Sequence, residues 1–148
     1  MILKAEWFTD RVWKQTILGH PLSKANSRRS VLGSRKYDTA KGKAGTSYLR
    51  PVKSVEALDY QKAFVLQCWK PREPFRFPLI LYAKVYWRSW RSDVDISLIK
   101  DSLQAAAVIA NDRLIRFEIV DGTEVDGKRP RAEIELFRWL PGIPGWLF

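Results

Sequence analysis

The run Leu79-Ile80-Leu81-Tyr82-Ala83-Lys84-Val85-Tyr86-Trp87 constrains the fold more than any other part of the chain. Side chains alternate across a strand, so Leu79, Leu81, Ala83, Val85 and Trp87 would share one face and Lys84 would lie on the other. A polar link, Arg88 to Asp93, follows. Then Ile96, Ile99, Leu103 and Ala106 or Ala107 recur at helical spacing, which predicts a helix from about Asp95 to Ala107. Two more strands are expected at Leu114 to Val120 and Arg131 to Trp139, with turns at Asp121-Gly122 and Asp126-Gly127.

Upstream, Ser54 can cap a helix from Val55 to about Trp69, with Glu56 in its first turn and Pro71 and Pro74 beyond its end. Leu3 to Ile17, with Trp7, Phe8, Val12 and Trp13, reads as one or two strands. The chain has 148 residues, enough for one domain with a proper core. The fold class expected is α+β: a single domain over 1–148, with one mixed sheet and two main helices. The apolar, proline-rich tail at 140–148 either packs on the body or meets another chain.

Charge narrows the function. The formal net charge is +10, and an excess of this size points to an anionic partner, most commonly nucleic acid. The excess is uneven. From His20 to Lys53 there are nine basic residues, among them Lys24, Arg28, Arg29, Arg35 and Lys36, against Asp38 alone. With Gly33, Gly42, Gly45 and several serines, this segment reads as a long irregular basic loop at about 20–53 that grips phosphates, or else as a solvated segment. Cys68 is the one cysteine and has no partner for a disulfide or a cysteine zinc site, which fits a reducing, cytoplasmic setting. His20 is the one histidine, so serine, cysteine and histidine catalysis find little support. The N-terminus shows no signal-peptide core, and no run of 18 apolar residues occurs.

Three of the acidic residues stand where chemistry could use them. Asp93 and Asp95 sit between the clearest strand and the next helix, and Asp112 follows that helix after Asn111. Like charges this close repel unless a cation or hydrogen bonds offset them, and hard cations such as Mg²⁺ take such oxygen ligands. The competing reading makes them turn and cap residues, which aspartate also favours. Lys100 falls within the apolar stripe of its helix. It is either a snorkelling lysine or a cation aimed at a scissile phosphate. Asp101 falls on the far side of the helix and reads as a solvated or structural carboxylate. Trp87, Trp90 and Tyr86 could stack on bases, though core or interface packing is the simpler account.

Five segments together resemble the RusA family of Holliday-junction resolvases. They are Pro21-Leu22-Ser23-Lys24-Ala25-Asn26-Ser27, Asp93-Val94-Asp95, Leu103-Gln104, Ala107-Val108-Ile109-Ala110-Asn111-Asp112-Arg113 and Lys128-Arg129-Pro130-Arg131-Ala132-Glu133-Ile134. The resemblance runs in order from about Gly19 to Leu136, and its specific part is the Asp-x-Asp plus Asn-Asp pair. It implies a small homodimeric endodeoxyribonuclease of bacterial or phage-infected cells that uses Mg²⁺ or Mn²⁺ to nick paired strands at four-way DNA junctions. Asp93, Asp95 and Asp112 would form the acidic metal site, Lys100 would assist catalysis, and Lys24, Asn26, Arg28, Arg29, Arg35 and Lys36 would bind DNA. The chain departs from the family pattern in having Ile96 where asparagine is usual and Ile99 where lysine is usual, with Lys100 one residue later. The interval from Asp95 to Asp112 is also shorter, and an ungapped count back from Asp112 puts Asp93 in the second acidic position and Arg91 in the first. The alternatives are a basic nucleic-acid-binding module without chemistry, and a nuclease of flap or RNA specificity.

Overall fold

A computed structural model describes residues 10–22, 28–34, 47–90 and 95–139. It shows a small α+β domain in the order β1 (Arg11–Leu18), β2 (Arg28–Ser34), β3 (Ser47–Lys53), α1 (Val55–Gln67), β4 (Leu79–Trp87), α2 (Ser97–Ala105), β5 (Ile115–Val125) and β6 (Arg131–Arg138), with a 3-10 turn at Asp112–Leu114. Four strands form one sheet in the order β1-β6-β4-β5, while β2 and β3 form a separate two-stranded ribbon. β4 pairs parallel with β5 and antiparallel with β6, and β1 pairs antiparallel with β6, so the sheet is mixed. The parallel pair requires a crossover, which α2 supplies.

The alternation read from β4 sets the core. Leu79, Leu81, Ala83, Val85 and Trp87 are buried on one face, beside Ala132, Ile134 and Leu136 of β6 and Trp13 and Ile17 of β1. α1 adds Ala57, Tyr60 and Phe64 to this cluster, and α2 adds Leu98, Ile99 and Leu103. Each fully buried leucine or isoleucine here stabilises the fold by about 2 kcal/mol. Among the described residues no helix is long and apolar enough to cross a membrane.

α1 begins as expected, with the Ser54 side chain accepting from the Ala57 amide at 3.2 Å. α2 ends two residues before the expected Ala107. Ala107 takes a left-handed φ of 57° and its amide bonds to the Gln104 carbonyl, while the Val108 amide bonds to that of Leu103, both at 3.0 Å. These two bonds make a Schellman stop with alanine in the place usually held by glycine, so the sequence shows no stop signal there.

Two other expectations are corrected. The basic segment at 20–53 contains β2 and β3, which pair in register from Arg28↔Lys53 to Ser34↔Ser47. Backbone pairing organises it despite its lack of a continuous apolar face. Asp121-Gly122 is not a turn, because β5 runs on to Val125. The register slips between Lys84 and Tyr86, which absorbs the extra residue of β5, and the Gly122 carbonyl accepts from the Trp87 indole at 2.9 Å. The turn at Asp126-Gly127 does form, with the Asp126 carboxylate accepting from the Lys128 and Arg129 amides. The expected strand content of residues 3–9 and the tail at 140–148 lie outside the described residues.

Candidate functional site

The N-terminal half of α2, the 3-10 turn and the root of the β2–β3 ribbon meet at a cleft of about 240 Å³, lined by Arg28, Lys53, Ser97, Leu98, Lys100, Asp101 and Asp112. Arg28 and Lys53 are register partners at the end of the ribbon nearest α1. Ser97, Lys100 and Asp101 come from α2. Asp112 comes from the 3-10 turn that brings the chain from α2 back to the sheet.

The turn is built so that Asp112 is free of capping duty. Asn111 takes the N-cap role, its side-chain oxygen accepting from the Arg113 amide at 2.9 Å. The Asp112 amide donates to Gln104 Oε1 at 3.0 Å, which ties the residue to the last turn of α2. The Asp112 carboxylate is in no ion pair with any described residue. At the other end of α2, Asp95 Oδ1 accepts from the Ser97 amide at 2.9 Å and from the Ser97 hydroxyl. Ile96 holds the N-cap position, and Asp95 before it is tied by these bonds to Ser97, the first residue of α2, which lines the cleft.

The cations divide into engaged and unengaged. Lys100 lines the cleft, and its ammonium meets Glu118 of β5 at 2.5 Å. Its side chain is 24% exposed, so it neither snorkels freely nor lies buried. Lys53 pairs with Asp101 at 3.1 Å. Arg28 has no carboxylate within 4.0 Å among the described residues. Two of the cleft's cations are thus ion-paired, and one guanidinium and one carboxylate, Arg28 and Asp112, line the same cleft without pairing with each other.

Asp101 takes the structural of its two readings, and its place is corrected. Helical spacing alone puts it on the far side of the helix, away from the other groups. Instead it lines the cleft and bonds Lys53, because the side of α2 turned from the sheet is met by α1 and the ribbon. Glu118, Gln61 and Gln104 do not stand out in the sequence. No local pattern marks them, since their partners lie 8 to 40 residues away.

Of the other residues expected to act, Arg29 is exposed on β2. Asp93, Lys24, Asn26, Arg35 and Lys36 lie outside the described residues. Carboxylate oxygens are the right donors for a hard cation. Among the described residues, however, no three histidine, cysteine, aspartate or glutamate side chains converge to hold one. Asp95 and Asp112 are the described members of the expected trio.

Four further side chains are accounted for structurally. Trp87 is 1% exposed and belongs to the core, and Tyr86 lies beneath the Arg131 guanidinium at 3.6 Å, so Trp90 alone of the three flagged aromatics is widely exposed. His20 Nδ1 accepts from the Arg88 amide and its ring meets the edge of Trp87. Burial pushes the Cys68 thiol up to about 11, against the opposing effect of Lys70, so it stays protonated and inert at neutral pH. No family model matches this chain, and no curated protein matches it.

Proposed function

We propose that the protein is a Mg²⁺-dependent endodeoxyribonuclease of the RusA kind, which resolves four-way or branched DNA by paired nicks in recombination and repair. The observation that carries this reading is the cleft itself, where Arg28 and Asp112, neither ion-paired among the described residues, stand with Lys100 in a chain of net charge +10. An unpaired guanidinium beside an unpaired carboxylate suits a ligand that carries both a phosphate oxygen and a divalent cation. Neither residue needs the other.

Asp112, with Asp95 and Asp93, would hold Mg²⁺ or Mn²⁺, which supplies polarisation of the phosphate and a water of lowered pKa. Arg28 and Arg29 bind the DNA backbone by charge-assisted hydrogen bonds. Lys100, steadied by Glu118, places a positive charge beside the phosphate as negative charge develops in the transition state. A four-way junction offers two symmetric strands, and a homodimer supplies the two cuts. The exposed Trp90 is available to stack on unpaired bases near the branch point.

A second reading is favoured by the local hydrogen bonds of Asp95 to Ser97: a basic nucleic-acid-binding module in which the aspartates are structural. One experiment separates the two. The protein is incubated with a synthetic four-way junction and with a linear duplex, with and without Mg²⁺. Paired nicks in the junction, dependent on metal, are expected. Binding without nicking under every condition makes the protein a binding module. Nicking of flaps or RNA in preference to junctions changes the substrate but leaves the site.

A further inference from the structure

The β2–β3 ribbon brings Arg28 to the cleft, yet it pairs with no third strand among the described residues. Two-stranded ribbons are marginal in water on their own. Its leucines do not fasten it, because the register partners Leu32 and Leu49 are 75% and 71% exposed. Among the described residues the polar group that joins it to the body is Lys53, the register partner of Arg28. Lys53 Nζ lies 3.1 Å from Asp101 Oδ2 and donates to Gln61 Oε1 at 3.2 Å. Gln61 Nε2 in turn donates to the Asp101 backbone carbonyl at 3.2 Å. One residue each from β3, α1 and α2 thereby closes a ring of three polar contacts at the root of the ribbon.

We infer that Asp101 is a positioning residue: with Gln61 it latches Lys53 to α2, and so sets the Arg28 guanidinium at the cleft to receive a phosphate oxygen of the DNA backbone. Only the last clause rests on the nuclease reading. The latch itself is a statement about the ribbon. A partly exposed ion pair is weak alone, but the two hydrogen bonds through Gln61 limit where the ammonium can go. Lys53 and Arg28 share one register position, so fixing the first limits the travel of the second.

Latching and simple electrostatics give opposite signs. Removing the charge of Asp101 makes the cleft more positive, which by itself favours DNA. It also releases the ribbon, which costs the placement of Arg28.

The test uses the full chain as wild type, Asp101→Asn, Lys53→Met and the charge-exchanged double variant Lys53→Asp with Asp101→Lys. Amide hydrogen exchange is followed in 28–34 and 47–53, with β4 and β6 as internal references. Each single variant should speed exchange in the ribbon by about three- to tenfold while the reference strands hold, and the double variant should restore protection. Junction nicking by Asp101→Asn should show a KM raised by a similar factor with kcat little changed, since a ground-state grip is what is removed. Unchanged ribbon exchange in both single variants overturns the latch. Equal acceleration in β4 and β6 also overturns it, because the ring is then an ordinary stabilising contact. A lower KM for Asp101→Asn overturns it in favour of electrostatics. If the wild type nicks no DNA with Mg²⁺, the nuclease reading fails, and the latch is decided by exchange alone.

Discussion

The open face of the sheet and the ribbon–α2 side use charge in different ways. On the sheet, Arg11 and Lys14 of β1 meet Glu135 of β6 at 3.0 and 2.8 Å. Lys84 stands between Asp121 and Glu124, and Arg131 bonds Asp126 while lying over the Tyr86 ring. Burial acts to raise the Glu135 pKa, but Lys14 and Arg11 together outweigh it and hold the carboxyl below its ordinary range. On the ribbon, Arg28, Arg29 and Arg50 pair with no described carboxylate, and Leu32 and Leu49 face solvent. The sheet answers these charges within the chain. Of the ribbon's cations only Lys53 is answered, by Asp101, among the described residues, and on the proposed reading Arg28, Arg29 and Arg50 are where a partner of opposite charge should be sought.

The variant that breaks the comparison most sharply is Asp112→Asn. It keeps the shape and the backbone bond to Gln104, and it removes the unpaired carboxylate of the cleft. Junction nicking in Mg²⁺ should fall by more than about a hundredfold, because charge on the oxygen ligands sets much of a hard cation's affinity. Binding to the junction, followed by gel shift, should persist or tighten as repulsion from DNA phosphate is relieved. Normal nicking by this variant would return Asp112 to the role of a turn residue.

Lys100→Met comes next. Methionine keeps much of the apolar stem and removes the charge that meets Glu118. Without a charge that stabilises the transition state, nicking should slow by about a hundredfold, with KM little changed. A rate equal to wild type would leave Lys100 as half of a structural pair with Glu118, and the cleft side would then resemble the sheet.

Replacing Arg28 and Arg29 together with alanine tests the unanswered charges directly. Affinity for DNA should drop for every sequence, and the slope of log K against log salt should flatten by about one unit for each phosphate that is no longer neutralised. The measurement is a salt titration by fluorescence anisotropy. An unchanged slope would mean that these arginines are merely solvated.

Where the sequence is legible follows the same division. The sheet can be read because burial on one face forces alternation, as in Leu79 to Trp87, and because Ser54 and Glu56 carry helix-start chemistry in their own side chains. Residue type and family resemblance lead toward Arg28, Lys100 and Asp112 but not to their grouping at one cleft. The structure adds what no local pattern holds. Asp101 acquires its partner only because a ribbon from far upstream crosses α2, and Glu118 meets Lys100 only because β5 lies beside β4. The ribbon reads as a loop in the sequence because its strands carry arginine, serine and glycine where strands usually carry alternating apolar residues. Its pairing is a backbone property, and its side chains are turned to other use.

The smallest effect is expected at the stop of α2, where the two sides of the molecule join. Ala107 holds a left-handed φ of 57°, which crowds its Cβ against the backbone, and glycine avoids that crowding. Both Schellman bonds are made by backbone atoms and would survive the change. Ala107→Gly should therefore stabilise the protein by about 1 kcal/mol, or raise Tm by about 3 °C, with part of the gain offset by the freer unfolded chain. Calorimetry and denaturant titration check it. Ala107 is exposed and lines neither the cleft nor the ribbon root, so the rate of nicking should stay as it is. The informative failure is a variant that gains stability and loses rate. The left-handed turn would then be strain kept to hold Asn111-Asp112 at its angle to the cleft, and the boundary between the two regions would move upstream, to include the stop of the helix with the site it feeds.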